Sequence, residues 1–261
     1  LQAGAQPADC DVTVPREYVP VPGPAAPVRF PLAPPSGPPL EPPDMAWVTS
    51  TLASMSLEEK IRQLIMGTFV ASSNPSLASL QSQIDAYHLG GYCFLGNNQS
   101  AAQLLSYTNA LQAYSPTPLL FAIDAEAGLG ARCADATKFP MLMGLGAGDN
   151  PAMTEACGRI TARECRALGI QIAFGPVVDV NTEPINPIIS TRSYSDDPAR
   201  VARLAQGFIT GARAEGLLCT FKHYPGHGAT TGDSHSSLPT VDLPMSEIQA
   251  NHIRPYRDLV G

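Results

Sequence analysis

Lysine and arginine are scarce in this sequence. Its 261 residues include 16 of them against 23 aspartate and glutamate residues, which gives a formal net charge of −7. The basic residues form no cluster, and binding to nucleic-acid phosphates needs such a cluster. The composition therefore argues against a nucleic-acid partner and favours an acidic surface that promotes solubility.

Three other absences narrow the class of protein. No apolar run reaches the roughly 18 residues that a membrane-spanning helix needs. No G-x-G-x-x-G motif follows a strand and opens a helix, which argues against a dinucleotide-binding sheet. The six cysteines contain no C-x-x-C pair and match no zinc-ligand spacing. We expect Cys93 and Cys219, which lie inside apolar runs, to be buried thiols, whereas a pairing of Cys10 with Cys133 stays open.

Proline is concentrated at the N-terminus, where residues 1–44 hold 13 of the 26 prolines. Proline lacks the N–H group that helices and central strands need, so this segment predicts an extended arm or linker. A proline-rich recognition ligand is the alternative. Such linkers often tether secreted domains, which weakly indicates an extracytoplasmic or secreted protein; a cytoplasmic location stays open. Residues 45–261 are predicted to form one domain.

From residue 45 onward, helical patterns alternate with apolar runs, which is typical of βαβ units and a parallel sheet. Ser56 and Glu59 predict a capping box that opens a helix running toward Met66. Asn150 and Pro151 predict the start of another helix. Further helices are predicted at 101–114, 197–215 and 246–260, the last interrupted at Pro255. Strands are predicted at 89–95, 119–124, 170–180 and 217–222.

Three of these strands end in clusters of charged and imidazole side chains. The clusters are Asp124, Glu126 and Arg132; Asp179, Asn181, Glu183 and Arg192; and Lys222, His223, His227, Asp233 and His235. One charge after a strand is often only the first solvated residue. Because the carboxyl ends of parallel strands share one edge, three such clusters predict one convergent pocket.

The segment KHYPGHGATTGDSHSSL, residues 222–238, holds three of the five histidines. His223, His227, Asp233 and His235 are possible zinc ligands, although Pro225 and Gly226 break the helix that would align the first two. Alternatively, Asp233 could orient the His235 ring for acid–base catalysis near neutral pH. A third possibility is that the two residues only cap a turn.

This segment resembles the K-H-[FY]-P-G-H-G-x-T-x-x-D-S-H motif of glycoside hydrolase family 3, of its β-N-acetylglucosaminidase type. Two further segments resemble the family in the same order: IDAEAGLGARC, and FGPVVDVNTEPINPIISTRSYSDDP. With the opening helix MSLEEKIRQLIM, the resemblance covers roughly residues 45–261. Ala127 and Leu129 depart from the family pattern and leave the shape of that loop open.

The resemblance implies a (β/α)₈ barrel and a retaining mechanism that releases terminal β-linked N-acetylglucosamine, with cell-wall fragments as one source. It implies that His235 is the acid/base and Asp233 its partner. It also implies that the sugar is bound by Asp124, Arg132, Arg192, Lys222 and His223. Taken alone, Arg192 could instead form a surface ion pair with Asp196 or Asp197. Asp179 and Asn181 are expected to brace loops. No cofactor and no metal are implied.

The family's nucleophilic aspartate lies on a later strand, and we expect it beyond residue 261. We therefore expect a barrel that is incomplete at the C-terminus and a chain that is inactive alone. Four alternatives stay open: a family 3 glycosidase of other specificity such as a β-glucosidase, a phosphorylase, a carbohydrate-binding pseudoenzyme and a metal-dependent hydrolase.

Overall fold

The computed structural model describes residues 45–235 and 238–260, and the predicted arm at 1–44 lies outside this range. Five parallel strands form one sheet, and their order in the sheet follows their order in the chain. The strands are β1 (Met66–Val70), β2 (Gly91–Leu95), β3 (Leu120–Ile123), β4 (Ile172–Ala173) and β5 (Leu218–Cys219). Because every neighbouring pair is parallel, the carboxyl ends of all five strands lie at one edge of the sheet.

At least one helix joins each strand to the next, as the alternating pattern predicted. The helices are α1 (Met45–Ser54), α2 (Leu57–Arg62), α3 (Leu77–Tyr87), α4 (Ala101–Tyr114), α5 (Leu142–Gly148), α6 (Pro151–Ala167), α7 (Pro198–Ala214), α8 (Met245–Glu247) and α9 (Arg254–Val260). A π-helical turn, Ile248–His252, separates α8 from α9. None of the helices in residues 45–235 and 238–260 combines the length and the apolar character that a membrane span requires.

Side-chain caps explain where two predicted helices begin. Asn150 accepts hydrogen bonds from two backbone N–H groups in the first turn of α6, and Pro151 takes the first position, where an N–H would have no intrahelical partner. Ser56 and Glu59 form the predicted capping box of α2. Both helix starts are confirmed, because the signals that set them lie within four residues of one another.

The predicted end of the opening helix is wrong. We expected this helix to run toward Met66, but α2 stops at Arg62, and Met66–Val70 forms β1. Each of these five residues pairs in register with β2, from Gly91 to Leu95. Pairing with a neighbouring strand outweighs the local helical preference, because strand formation depends on packing context more than on intrinsic propensity.

The strand predicted at 170–180 is much shorter than expected, because only Ile172–Ala173 pair as β4. Pro176 has no N–H to donate to a ladder, so it interrupts the strand. The chain nevertheless stays beside β5, since the backbone N–H of Val178 donates to the carbonyl of Lys222 at 2.8 Å. The polar residues beyond it therefore sit in a loop at the carboxyl edge of the sheet.

The core combines aromatic packing within the sheet with close contact between helices. Phe69 meets Tyr92 and Phe94 edge-on, with ring centroids 5.5 and 5.0 Å apart. In the helical layer, α6 and α7 touch through their backbones. A Cβ atom at Gly158 would lie 2.0 Å from the carbonyl oxygen of Phe208, so only glycine permits this approach. These contacts form a rigid support for the loops that follow β4 and β5.

The cysteines fit this core, and two of them were predicted to be buried. Cys93 is buried, as predicted, whereas Cys219 is only half-buried. Burial raises the pKa of the Cys93 thiol to about 11 and that of Cys219 to about 12, which makes both poor nucleophiles at neutral pH. Cys133 is a free, buried thiol, and Cys10 lies outside the described residues.

The last helical stretch is interrupted, but at Ile253 and not at Pro255 as predicted. The π-helical turn ends at His252, and Pro255 lies in the first turn of α9, where its missing N–H is tolerated. The fold is thus an α/β fold with a parallel sheet, as predicted. The described strands show no reversal of order, so they lack the switch point of a doubly wound sheet. The closed eight-stranded barrel and its incomplete C-terminus stay predictions.

Candidate active site

A pocket of about 280 Å³ opens at the carboxyl edge of the sheet. It is lined by residues from the loops that follow β3, β4 and β5: Asp124, Glu126, Arg132, Ile188, Arg192, Lys222, His223, His227, Ser234 and His235. Six of the seven predicted site residues are among them, and the seventh, Asp233, hydrogen-bonds to His235. The three strand-end clusters therefore converge, as their positions predicted, while the role of each residue stays a prediction.

The Lys222 ammonium links two carboxylates in the floor of the pocket. Its Nζ atom lies 2.6 Å from Oδ1 of Asp124 and 2.6 Å from Oε1 of Glu126. Arg132 approaches Asp124 from the other side, with Nη2 3.1 Å from Oδ2, and also donates to the side chain of Asn97. Charges this close and partly shielded from water hold one another in place more firmly than surface pairs do.

Arg192 completes this network with a bidentate ion pair. Its Nε and Nη2 atoms lie 2.8 Å from the two carboxylate oxygens of Glu126. Burial alone would raise the pKa of Glu126, but the Arg192 hydrogen bonds and the Lys222 charge outweigh it and lower the pKa to about 2. The alternative of a surface ion pair between Arg192 and Asp196 or Asp197 is therefore wrong, because Arg192 turns inward to a partner 66 residues away.

Asp179 is a fully buried carboxylate that braces the loop after β5. It accepts hydrogen bonds from the backbone N–H of His223 at 3.2 Å and of His227 at 2.7 Å, and it lies 2.6 Å from Nδ1 of His223. An arginine side chain only donates, so Nη2 of Arg192 donates to Nε2 of His223 over 3.3 Å. Nδ1 of His223 therefore carries the ring proton and donates to Asp179. This geometry agrees with the expected bracing role of Asp179.

Asp233 and His235 form a hydrogen-bonded pair at the mouth of the pocket. Oδ1 of Asp233 lies 2.7 Å from Nδ1 of His235 and accepts from its backbone N–H at 2.8 Å. The hydrogen bond from the backbone N–H of His235 and, to a smaller extent, the one from its side chain lower the pKa of Asp233. With Nδ1 protonated, Nε2 remains for another partner, and it bonds to no described residue. The pair therefore caps a turn and orients the imidazole, while its role in acid–base catalysis stays a prediction.

Zinc binding was the alternative for this segment, but residues 45–235 and 238–260 contain no group of three or more His, Cys, Asp or Glu side chains that could hold a metal ion. Nδ1 of His227 lies 2.6 Å from Oγ1 of Thr230, and Nε2 lies 3.0 Å from Oγ of Ser234. Both ring nitrogens of His223 are also engaged, by Asp179 and Arg192. A histidine ligand must offer an unprotonated nitrogen to the metal, and these nitrogens point at protein partners instead.

Sequence reasoning gave no role to several residues that the structure places in this pocket. Glu126 was noted only as a member of a strand-end cluster, although it is the shared partner of Lys222 and Arg192. The sequence signal that could have indicated a role for Glu126 in the pocket was its position two residues after Asp124, at the end of the same strand. Ile188 and Ser234 carried no chemical signal of their own in the sequence, because an isoleucine or a serine in a loop is common.

The chain is similar to known proteins over most of its length. The family model "Glycosyl hydrolase family 3 N terminal domain" matches residues 56–261. Beta-hexosaminidase A of Pseudoalteromonas piscicida is 39% identical over 199 residues, which cover 71% of this chain and 32% of that protein. The chain thus spans about a third of the length of this curated relative.

Two solved structures are also similar. Beta-glucoside phosphorylase BglX bound to 2FGlc has a TM-score of 0.75 and 30% identity, covering 85% of this chain and 39% of that one. A family 3 beta-N-acetylglucosaminidase from Paenibacillus sp. strain FPU-7 has a TM-score of 0.74 and 33% identity, covering 79% and 40%. Since the family model alone covers more than three quarters of the sequence, the chain belongs to glycoside hydrolase family 3.

Proposed function

We propose that this pocket binds a terminal β-linked N-acetylhexosamine and that His235, supported by Asp233, is the acid/base that releases it with retention of configuration. The observation that carries the proposal is the Asp233–His235 pair, whose 2.7 Å contact orients the imidazole at the mouth of the pocket. The named β-hexosaminidase and β-N-acetylglucosaminidase relatives support the choice of an N-acetylated sugar.

The chemistry follows from this orientation. In the first step, Nε2 of the protonated His235 gives its proton to the glycosidic oxygen as the bond from that oxygen to the anomeric carbon breaks. A carboxylate nucleophile bonds to the anomeric carbon. In the second step, Nε2 takes a proton from water, whose oxygen displaces the carboxylate. Asp233 stabilises the ring while it carries the positive charge.

The ion-paired residues in the floor of the pocket are assigned to substrate binding. Asp124 retains lone pairs that can accept from sugar hydroxyls, while Arg132, Arg192 and Lys222 have N–H groups left to donate. We infer that Nε2 of His223 exchanges its 3.3 Å contact with Arg192 for a hydrogen bond to a neighbouring hydroxyl when the sugar binds. Asp124 is held by two cations, and this pairing suits a fixed acceptor better than an attacking nucleophile. The nucleophilic carboxylate is therefore sought outside the described pocket.

The fold of the complete domain belongs to the same proposal. We infer that the described sheet is part of a (β/α)₈ barrel. Two observations support this inference: all five described strands are parallel, and their order follows the chain without reversal. In such barrels the catalytic residues lie at the carboxyl ends of the strands, where this pocket lies.

Release of p-nitrophenol from its β-N-acetylglucosaminide and its β-glucoside tests the proposal. The complete gene product should prefer the N-acetylated substrate, and His235→Ala should lower its turnover by roughly 10²–10⁴-fold, the usual contribution of a general acid–base. His88→Asn is the matched control, because His88 is exposed at the end of α3 with a φ of 47° that asparagine tolerates. A folded protein that is inactive on both substrates would refute the proposal.

Phosphorolysis is a second candidate because the chain resembles a beta-glucoside phosphorylase. A neutral imidazole, unlike a carboxylate, does not repel an incoming phosphate in the second step. The same assay with added inorganic phosphate separates the two activities. A hydrolase should yield the free sugar regardless of phosphate, whereas a phosphorylase should yield the sugar 1-phosphate in proportion to it.

A further inference from the structure

We propose that His227 and Ser234 form a hydrogen-bonded latch that positions the Asp233–His235 pair over the pocket. The proposal rests on the proposed acid/base function of His235. It assigns to His227 a positioning role, in place of the metal ligation that the sequence left open. The central contact joins Nε2 of His227 to Oγ of Ser234 over 3.0 Å.

The main chain of His227 is fixed from two sides. Its N–H donates to the fully buried Asp179 at 2.7 Å. Its carbonyl accepts from the side-chain amide of Asn186 at 2.8 Å and from the hydroxyl of Thr230 at 3.0 Å. Asn186 and Thr230 are themselves buried. A ring attached to so constrained a backbone can serve as a rigid anchor for a neighbouring turn.

Two protein contacts hold the His227 ring in place. Nδ1 lies 2.6 Å from Oγ1 of the buried Thr230, and Nε2 lies 3.0 Å from Oγ of Ser234. A hydroxyl both donates and accepts, so the Ser234 side chain bonds to Nε2 in either ring tautomer of His227.

Ser234 lies between the two members of the acid/base pair, so the latch acts on both. The side chain of His235 is 78% exposed and that of Asp233 is 39% exposed, which means that little burial holds the turn in place. The latch connects this turn, through His227, to the buried Asp179. Proton transfer depends steeply on donor position, and we infer that loss of the latch moves His235 away from the glycosidic oxygen.

Two aryl substrates with different leaving groups test the latch in the complete gene product. A phenyl β-N-acetylglucosaminide needs protonation to leave, whereas the 2,4-dinitrophenyl analogue leaves as its anion. Ser234→Ala should lower kcat/KM for the phenyl substrate by roughly three- to tenfold, the equivalent of one net hydrogen bond. It should change kcat/KM for the dinitrophenyl substrate by less than about twofold, because that step needs no acid.

Three further variants make the test specific. Ser234→Thr keeps the hydroxyl and should restore most of the phenyl activity. The double variant Ser234→Ala/His227→Gln should have the same kcat/KM for the phenyl substrate as the less active of the two single variants, because the two residues share one interaction. Ser82→Ala removes an exposed hydroxyl from α3 and should change nothing.

An equal loss of kcat/KM on both substrates would overturn the latch, since it would indicate a general structural defect. No loss on the phenyl substrate would overturn it as well. His235→Ala separates this failure from that of the proposed function. If His235→Ala abolishes the phenyl activity while Ser234→Ala does not lower it selectively, the acid/base assignment stands and only the latch falls.

Discussion

The floor of the pocket and the acid/base turn at its mouth are built by different means. In the floor, the side chains of Glu126, Lys222 and Asp124 are 13%, 17% and 20% exposed, and each contacts at least two partners. At the mouth, the side chain of His235 is 78% exposed and rests on a hydrogen bond to a residue two positions away. Rigid strand ends therefore carry the proposed binding groups, whereas an exposed turn carries the proposed proton donor.

This difference indicates a division between stability and chemistry. Removal of one partner of a partly buried ion pair lowers the free energy of unfolding strongly, because the remaining charge has no partner. Exposed pairs contribute little to stability, since water already solvates both charges. Changes in the floor should therefore lower both stability and activity, while changes in the turn should lower activity alone.

The largest expected effect comes from Gly228, where the loop after β5 crosses the loop after β4. A Cβ atom there would lie 1.8 Å from the backbone carbonyl oxygen of Val180, which cannot move aside cheaply. We expect Gly228→Ala to lower the free energy of unfolding by roughly 3 kcal/mol and to abolish activity. Gly148→Ala is the matched control, because a Cβ atom there meets nothing within 4 Å. Urea unfolding that gives both variants the same stability would contradict this prediction.

The next effect is pH-dependent and concerns Glu126. The pKa of Glu126 in the folded protein, about 2, lies below its ordinary value of 4.5. Its ionised carboxylate therefore contributes to the free energy of unfolding above pH 4.5, and this contribution is lost as the pH falls toward 2. Glu126→Gln should therefore lower the free energy of unfolding by at most about 3 kcal/mol at pH 7, and this deficit should shrink as the pH falls below 4.5.

Urea unfolding at pH 7 and pH 3 measures the Glu126 effect. The matched control is Glu58→Gln, because Glu58 pairs with Arg62 on the surface of α2 with 74% of its side chain exposed. That variant should stay within about 0.5 kcal/mol of wild type. A Glu126 deficit that is the same at both pH values would mean that the carboxylate charge is not what stabilises the floor.

The smallest expected effect on stability belongs to Asp233. Asp233→Asn should leave the midpoint of thermal unfolding unchanged, because the turn is exposed and the amide oxygen can still accept from the backbone N–H of His235. Turnover of the phenyl substrate should nevertheless fall, since an amide cannot stabilise a positively charged imidazole. If the midpoint instead fell as far as that of Glu126→Gln, the proposed division between floor and turn would be wrong.

Much of this architecture could be predicted because its signals are local. The caps at Asn150 and Ser56 lie within four residues of the groups they bind, and the Asp233–His235 pair spans only two positions. The polar clusters were found because each follows an apolar run directly. The helix end at Arg62 and the strand at 66–70 were missed, because both depend on pairing with residues 91–95. The sequence around residues 62–70 contains no local signal for this pairing.

The sequence by itself determined the alternation of strands and helices, the starts of α2 and α6, the resemblance to the family and the set of polar residues at three strand ends. Only the tertiary structure decided which of these residues pair across long stretches of the sequence. Glu126 meets Arg192 over 66 residues and Asp179 meets His223 over 44, and the folded sheet brings them together. The physical reason is that the position of a residue within one strand or helix sets the direction of its side chain. The register and packing of several strands and helices decide which distant side chain it meets.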